Sequence, residues 1–513
     1  MSCEPIRRFP RHRRPFRSRL QLTAAAAALG AAVWACAESK SSEAPADVTL
    51  RVGLALPEVA SGAGIGAVIS ALTGDRLVGF ANDGRFEPHL ARAWTWSEDR
   101  LSLTLELRRD LRFHDGSPVT STDVEAFLKQ SLTPAAGPGL SDVAAIEAPD
   151  PLHVILRLRR PSSFLLEDLG GLTVSRTIDG GSVGAGPYRH VATERSEDRI
   201  ALEAFPEFFA GRPAIDRLEI SSYPTVRSAW AAMLRDEIDM LHEVGREAVE
   251  FVEAESAVQV HSFPRPYVHT LGFNLRHPAL QDPRVRQALN LAIDRDDIVR
   301  RALRGRGRVA DGYVWPHHWV FDRSARSFRF DPGRAMQLLD EAGYRLRPDS
   351  EMSSRLRLNC ILPSDWSPFE VIALVVQKRL FEIGVDLVLE PVPSRELGRR
   401  IPAGEYETFL YELVSPRGLG FAYRFLRSPG LMNSGYTAAD TVLDRVRHAR
   451  SDEDLKVAVA DLQRVLYDDP PAVFISWDER ARAVSRRFEV PVRPGVDVFT
   501  LLWQWKPAAR PAN

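Results

Sequence analysis

The chain has 513 residues, 44% of them hydrophobic, with 67 basic and 68 acidic side chains and a formal net charge of -1. That length is too great for a single hydrophobic core and requires at least two domains. The near-neutral balance excludes a body that binds nucleic acid through a basic surface.

The amino terminus is the most biased segment. Arg7, Arg8, Arg11, Arg13, Arg14, Arg17 and Arg19 face one acid, Glu4, and a short apolar run follows over 20–35. A basic end, an apolar stretch and a small-residue exit make a secretory signal. The run is shorter than the roughly 20 residues of a membrane span. It ends Val33-Trp34-Ala35-Cys36, which resembles a lipobox and predicts a signal peptide over 1–36 with Cys36 lipidated. The other reading is an ordinary signal with an incidental cysteine. Arg13-Arg14-Pro15-Phe16 has some resemblance to a twin-arginine signal, and a generic basic region is the preferred reading. Residues 37–48 are polar and contain Pro45, as expected of a flexible tether. Of the three cysteines only Cys360 lies in the body, so no internal disulfide or zinc cluster is expected. Its apolar neighbours Leu358 and Ile361 predict a buried structural thiol.

In the body, a strand is expected over 48–54. The stretch 88–132 predicts a strand, a turn and a capped helix. Leu101, Leu103, Leu105 and Leu107 alternate with polar residues at the period of a half-buried strand. Asp115-Gly116 supplies a turn, and Thr120 with Asp123 has capping-box spacing. A further strand is expected over 153–158. The Gly184-Ala185-Gly186 turn lacks the lysine of a P-loop and the strand-to-helix setting of a dinucleotide fingerprint. It reads as a place where two backbones come close. Asp282-Pro283, Asp294 and Asp331-Pro332 cap helices, the first with an apolar stripe of Val285, Ala288, Leu289, Ala292 and Ile293. Helices over 368–384 and 455–469 and strands over 385–390 and 472–477 follow. Interleaved strands and helices give an α/β class.

Several ordered pieces resemble the family 5 extracellular solute-binding proteins, the peptide- and nickel-type receptors of ABC importers. They are Leu90-Ala91 with Trp94, Ser97 and Asp99, then Leu107-Arg108, then Phe113-His114-Asp115-Gly116 with Pro118, Val119, Thr120, Asp123 and Val124. Gly184 to Tyr188, the Glu237-Ile238-Asp239-Met240 segment (a strand in that family) and the region 271–300 add to the match. The resemblance implies a two-lobed periplasmic-binding-protein-like fold of the type II, three-subdomain kind, with the ligand between the lobes. Lobe I is expected over 49–266, completed by 479–513, and lobe II over 267–478. Crossings are placed near 267–271 and 477–480. The implied protein is an extracytoplasmic, membrane-anchored lipoprotein. It would act as a monomer, bind a peptide-like or other small solute, deliver it to ABC permease subunits, and need no cofactor.

The same resemblance singles out 408–423, read as the segment after a lobe II strand, for ligand contact. Peptide-binding relatives place an aspartate there to meet a free amino terminus; here the nearest acid is Glu412, read either as a ligand group or as a solvated loop carboxylate. Arg417 is a candidate partner for a ligand carboxylate. Trp366 with Asp365 precedes a long helix where relatives contact ligand, Tyr411 and Tyr423 either stack on ligand or pack, and Glu58 lines the cleft. His317-His318 point apart and are poor metal ligands, and His114 reads as structural. An accessory to a sensor or chemoreceptor is the alternative function. A secreted hydrolase, which needs a nucleophile with a base or a carboxylate pair in the cleft, is a remote one, because the family resemblance implies binding without catalysis.

Overall fold

The computed structural model describes residues 47–55, 58–133, 137–178, 181–195, 199–346, 354–415 and 418–509. The signal segment, Cys36 and most of the expected tether lie outside the described residues. Among those described, no helix is long and apolar enough to cross a membrane.

The main sheet contains β1 (Thr49–Leu54), β2 (Tyr188–Arg195), β3 (Arg199–Ala204), β4 (Arg217–Ser222), β5 (Met240–Val244), β6 (Val258–Phe273), β7 (Leu356–Pro363), β8 (Val385–Val392), β9 (Thr408–Val414) and β10 (Ala472–Ser485). Their order is β2-β3-β4-β1-β5-β10-β6-β9-β7-β8, with a short strand Gly307–Val309 added beside β10. The fold is mixed α/β and two-lobed. Strands β1, β4 and β5 are mutually parallel, and so are β7, β8 and β9. The long strands β6 and β10 pair antiparallel and join the two sets.

This register fixes where the lobes meet. The last pairing of β5 is Val244 with Ala481, and Ala481 also faces Ser262. The last pairing of β9 is Val414 with Tyr267. Between them Phe263-Pro264-Arg265-Pro266 has β10 on one side and neither set on the other. Proline lacks the N–H an outer strand would require, so it is tolerated there. Because β5 and β6 run the same way and β9 runs against them, the carboxyl ends of both parallel sets point at this gap. Strand carboxyl ends are where open α/β sheets hold ligands.

A separate sheet, Ala91–Trp96, Ser102–Leu107, His153–Leu158 and Val143–Asp150 in that order, carries the strand and turn expected over 88–132. Leu103, Leu105 and Leu107 are buried and alternate with more exposed Ser102, Thr104 and Glu106. Gly116 has φ of 82°. The helix Ser121–Ser131 opens with both halves of a capping box between Thr120 and Asp123. His114 is structural: its Nε2 lies 3.0 Å from the Gly186 carbonyl and its ring packs on Phe205. At Gly184 an added Cβ would lie 2.0 Å from the Thr73 carbonyl oxygen, and at Gly186 2.6 Å from that of Gly74.

In the second lobe Asp282, Asp294 and Asp331 each cap a helix as expected. The apolar stripe 285–293 enters a core with Cys360, Phe369 and Leu410. Cys360 is fully buried, and burial pushes its thiol up to about 12. Two boundaries differ from expectation. A turn at 235–236, with Asp236 at φ of 58°, leads into an irregular stretch 237–239, and the strand begins only at Met240. The stretch 408–414 is itself strand β9, so the connecting segment is shorter than the expected 408–423.

Candidate functional site

The floor of the gap is charged. Arg265 Nη1 donates to both Glu412 carboxylate oxygens, at 3.0 and 3.2 Å. Its guanidinium lies over the Tyr267 ring, 3.7 Å from the centroid. Asp478, on β10, is buried beside three arginines: Arg480 donates to it at 2.5 Å, Arg246 pairs with it, and Arg265 is 3.6 Å away. Arg480 also pairs with Glu243 at the end of β5. Three arginines thus balance three acids, and every acid has an arginine partner. Within this cluster the buried polar atoms lacking a hydrogen-bond partner are Arg246 Nε and Nη1; none belongs to an acid.

Electrostatics separates the acids. Burial pushes Glu412 up to about 7, against the pull of Arg265. Burial also acts upward on Asp478, but Arg480, Arg246, His269 and Arg265 together hold it well below the usual carboxylate range. His269, beside them on β6, is lowered to about 4 by burial and meets Ser476 Oγ at 3.0 Å.

An aromatic wall stands next to this floor. Trp366 immediately precedes the helix Ser367–Glu382. Its ring meets Phe369 edge-on at 5.4 Å, and Phe369 stacks with Tyr411 at 5.7 Å. The Arg480 guanidinium lies 5.6 Å from the Trp366 centroid, which joins wall to floor. Burial pushes the Tyr411 hydroxyl up to about 12.

Of the residues singled out in the sequence, Trp366, Tyr411 and Glu412 are brought together here. Glu412 is not a solvated loop carboxylate: it lies on a strand, buried and committed to Arg265. Asp365 adjoins the wall but accepts from Ser394 N (3.2 Å) and Oγ (2.5 Å), which ties down the start of the helix Ser394–Ala403. Tyr423 stands apart from this group. Its hydroxyl donates to Asp444 and accepts from Arg447, and its ring packs on Phe164. Glu58 begins the helix Glu58–Thr73 after β1, but its side chain, like the whole of Arg417, lies outside the described residues. His317 contacts Arg308 while its neighbour His318 is buried. Among the described residues no group of three or more histidines, cysteines or acids is placed to hold a metal.

Sequence reading missed Glu243, Arg246, Arg265, Asp478 and Arg480. Two signals were available: an arginine between two prolines inside a strand, and the Asp478-Glu479-Arg480 run that continues the apolar strand 472–477.

Two parallel strand sets that face each other across a pair of crossing strands, with a charged floor and an aromatic wall between, define a two-lobed solute-binding protein. The chain belongs to the bacterial extracellular solute-binding proteins, family 5, whose middle region matches residues 85–430. It is 26% identical over 372 residues to a probable di/tripeptide-binding protein 5 of Pseudomonas aeruginosa, covering 65% of this chain and 69% of that one. The fold is shared with NikA from Brucella suis in complex with Fe(III)-EDTA (TM-score 0.79, 18% identity, 90% of this chain and 100% of that chain). It is also shared with AgaA from Agrobacterium tumefaciens in complex with agropinic acid (TM-score 0.73, 22% identity, 90% and 99%). The protein is therefore an extracytoplasmic substrate-binding component of an ABC importer.

Proposed function

We propose that the chain captures a small solute by closing two lobes on it, over 49–266 with 479–513 and over 267–478, and passes it unchanged to the permease. It acts as a monomer tethered through 37–48 to a lipidated Cys36. Trp366 and Tyr411 provide the stacking wall, and Glu58 and Arg417 are further ligand contacts. Asp365 supports the wall, Glu412 orients Arg265 rather than meeting ligand, and Tyr423 acts from outside the contact set.

One observation carries the choice of solute: the floor's acids are all committed to arginines, while its spare hydrogen-bonding capacity consists of donors on Arg246. A free ammonium would find Glu412, Asp478 and Glu243 already paired, and burying an unpaired charge is costly. A carboxylate or carbonyl would supply the acceptor that these donors lack. Ordinary di- and tripeptides with free amino termini are accordingly poor ligands, and a negatively charged or neutral solute is a good one. Agropinic acid in a neighbour of this fold is a precedent for such an occupant. Native mass spectrometry of the protein purified from an extracytoplasmic compartment, followed by calorimetry and small-angle scattering with the solute found, tests this. A carboxylated or neutral solute, a more compact particle on binding and no conversion are expected. Tight binding of many unmodified peptides, lost in Glu412→Gln, would overturn the choice of solute; chemical conversion by pure protein would overturn the non-enzymatic role.

A further inference from the structure

Arg295 sits in an acidic run, Asp294-Arg295-Asp296-Asp297, where local ion pairs are expected. The fold turns those acids elsewhere. Asp294 and Asp297 meet Arg379, Asp297 also takes Arg300 and Arg301, and Asp296 is exposed. Arg295 itself is buried at the outer edge of β10. The short strand Gly307–Val309 pairs with β10 only over 476–478. Below that, Asn290 Nδ2 donates to Ala472 O at 3.1 Å, Arg295 Nε to Phe474 O at 2.7 Å, and Ala310 N to Ile475 O at 3.1 Å. Arg295 also donates from Nη1 to Asn290 O at 3.0 Å and from Nη2 to Asn290 Oδ1 at 2.8 Å. Every one of these acceptors is neutral. Among the described residues no carboxylate is within ion-pairing distance of Arg295. Burying a charge without a counter-charge is costly. Burial lowers Arg295 from its ordinary value to about 10, and Asp311 and Asp296 offset only part of that.

Arg295 borders a cavity of about 100 Å³. The lining joins Asn290 and Phe474 at the strand edge to the segment 321–329 and to Gln463 and Tyr467 of the helix Asp452–Asp468. These walls are fastened together. Gln463 Oε1 accepts from Asp322 N at 2.9 Å, and its Nε2 donates to Asp322 O at 3.1 Å. Phe328 stacks on Tyr467 at 4.5 Å, and Arg326 pairs with Asp468 at 2.5 Å. Arg323, Arg326 and Arg329 line the cavity with Arg295, against the acids Asp311 and Asp322. Asp322 is engaged by Ser324 N at 2.8 Å and Oγ at 2.7 Å, and Asp311 is exposed. Nη2 of Arg295 carries two N–H groups and makes one of the bonds above, so a donor remains for an occupant. None of Arg265, Trp366, Tyr411 and Glu412 borders this cavity.

We infer that the cavity is a second binding site, apart from the gap between the lobes, and that it takes a small oxyanion or carboxylate as the counter-charge to Arg295. The volume sets the class of occupant. A cavity of about 150 Å³ holds a benzene ring, so acetate or phosphate fits here and an aromatic acid does not. The bound anion joins the β10 edge to 321–329 and to the helix Asp452–Asp468, and so braces lobe II whatever solute the gap carries.

The test uses the whole mature protein at constant ionic strength set with sodium chloride. Hydrogen exchange is followed over 321–329 and 463–467, with Val258–Phe273 as the internal reference. Sodium acetate and sodium phosphate are the probes, each at about 10 mM. In wild type one or both should slow exchange in the two segments about threefold, the factor 1 + [L]/Kd at about twice the Kd, and leave the reference unchanged. Slowing by acetate alone assigns a carboxylate, by phosphate alone an inorganic oxyanion, and by both the charge they share; each supports the site. Arg295→Met and Asn290→Asp should abolish the response. The second change is isosteric and puts a carboxylate where Asn290 Oδ1 lies 2.8 Å from Arg295 Nη2, so the protein supplies the counter-charge itself. Wild-type crystals soaked in selenate should show its anomalous peak beside Arg295, which keeps the test decisive if neither variant folds. No slowing by either probe, slowing shared equally by the reference strand, a response that survives in either variant, or no selenate peak at Arg295 would overturn the site. A selenate peak without any effect in solution would mean an adventitious ion only, and would overturn it too. None of these outcomes depends on the solute in the gap, whose identity the native mass spectrum reports separately.

Discussion

Arg265→Met tests the floor most directly. The substitution keeps an unbranched apolar stem but removes the guanidinium that lies over Tyr267 and partners Glu412, whose side chain is 5% exposed. Breaking a buried pair from one side costs about 3–5 kcal/mol, because the remaining charge is left uncompensated. Arg265 is itself 26% exposed and Glu412 can stay protonated at about 1.4 kcal/mol per pH unit above its folded value of about 7, so the expected loss at pH 8.5 is about 2 kcal/mol, below that range. Asp478 keeps Arg246 and Arg480 and adds little to that figure. The pH dependence gives a second, signed check. Glu412 is raised from 4.5 to about 7 in the folded protein. A raised acid contributes stability that is full below its unfolded value and is lost as pH rises through the folded one. Removing Arg265, which opposes the rise, pushes Glu412 further up. The deficit of the variant should therefore be small near pH 4.5, where Glu412 is protonated with or without the arginine. It should grow as pH passes 7. Urea unfolding of both proteins at pH 4.5 and 8.5 measures it, and Arg265→Met with Glu412→Gln should recover most of the loss at the higher pH. A deficit that is the same at both pH values, or below about 1 kcal/mol at pH 8.5, would refute the reasoning.

Gly184→Ala would force a Cβ to within 2.0 Å of a backbone oxygen, which cannot swing aside as a side-chain tip can; a loss of about 2 kcal/mol or more in urea is expected, and an unchanged midpoint would contradict it. Cys36→Ser should abolish incorporation of labelled fatty acid and either release soluble protein or stall processing; absence of label in wild type would remove the lipid anchor.

Local order was readable in the sequence wherever a short-range rule decides it. The capping box at Thr120 and Asp123, the aspartate caps at 282, 294 and 331, the alternation of Leu103, Leu105 and Leu107, and the close approach at Gly184 and Gly186 all depend on neighbours a few residues apart or on the absence of a side chain. The strand start at Met240 differs from expectation because the irregular stretch Glu237-Ile238-Asp239 carries no glycine or proline to announce the break.

The site behaved differently. Trp366, Tyr411 and Glu412 were selected from sequence, but their state was not: whether Glu412 met water, a solute or another side chain depended on Arg265, far away in the chain. Glu243, Arg246, Asp478 and Arg480 meet only because β5, β6 and β10 share one register. By itself the sequence determined the class of fold, the family and the local caps and turns, since each follows from patterns along a continuous stretch. Only the tertiary structure decided which charges neutralise one another and which donors on Arg246 remain unmatched, because pairing between buried charges is set by distances across strands that no local pattern encodes.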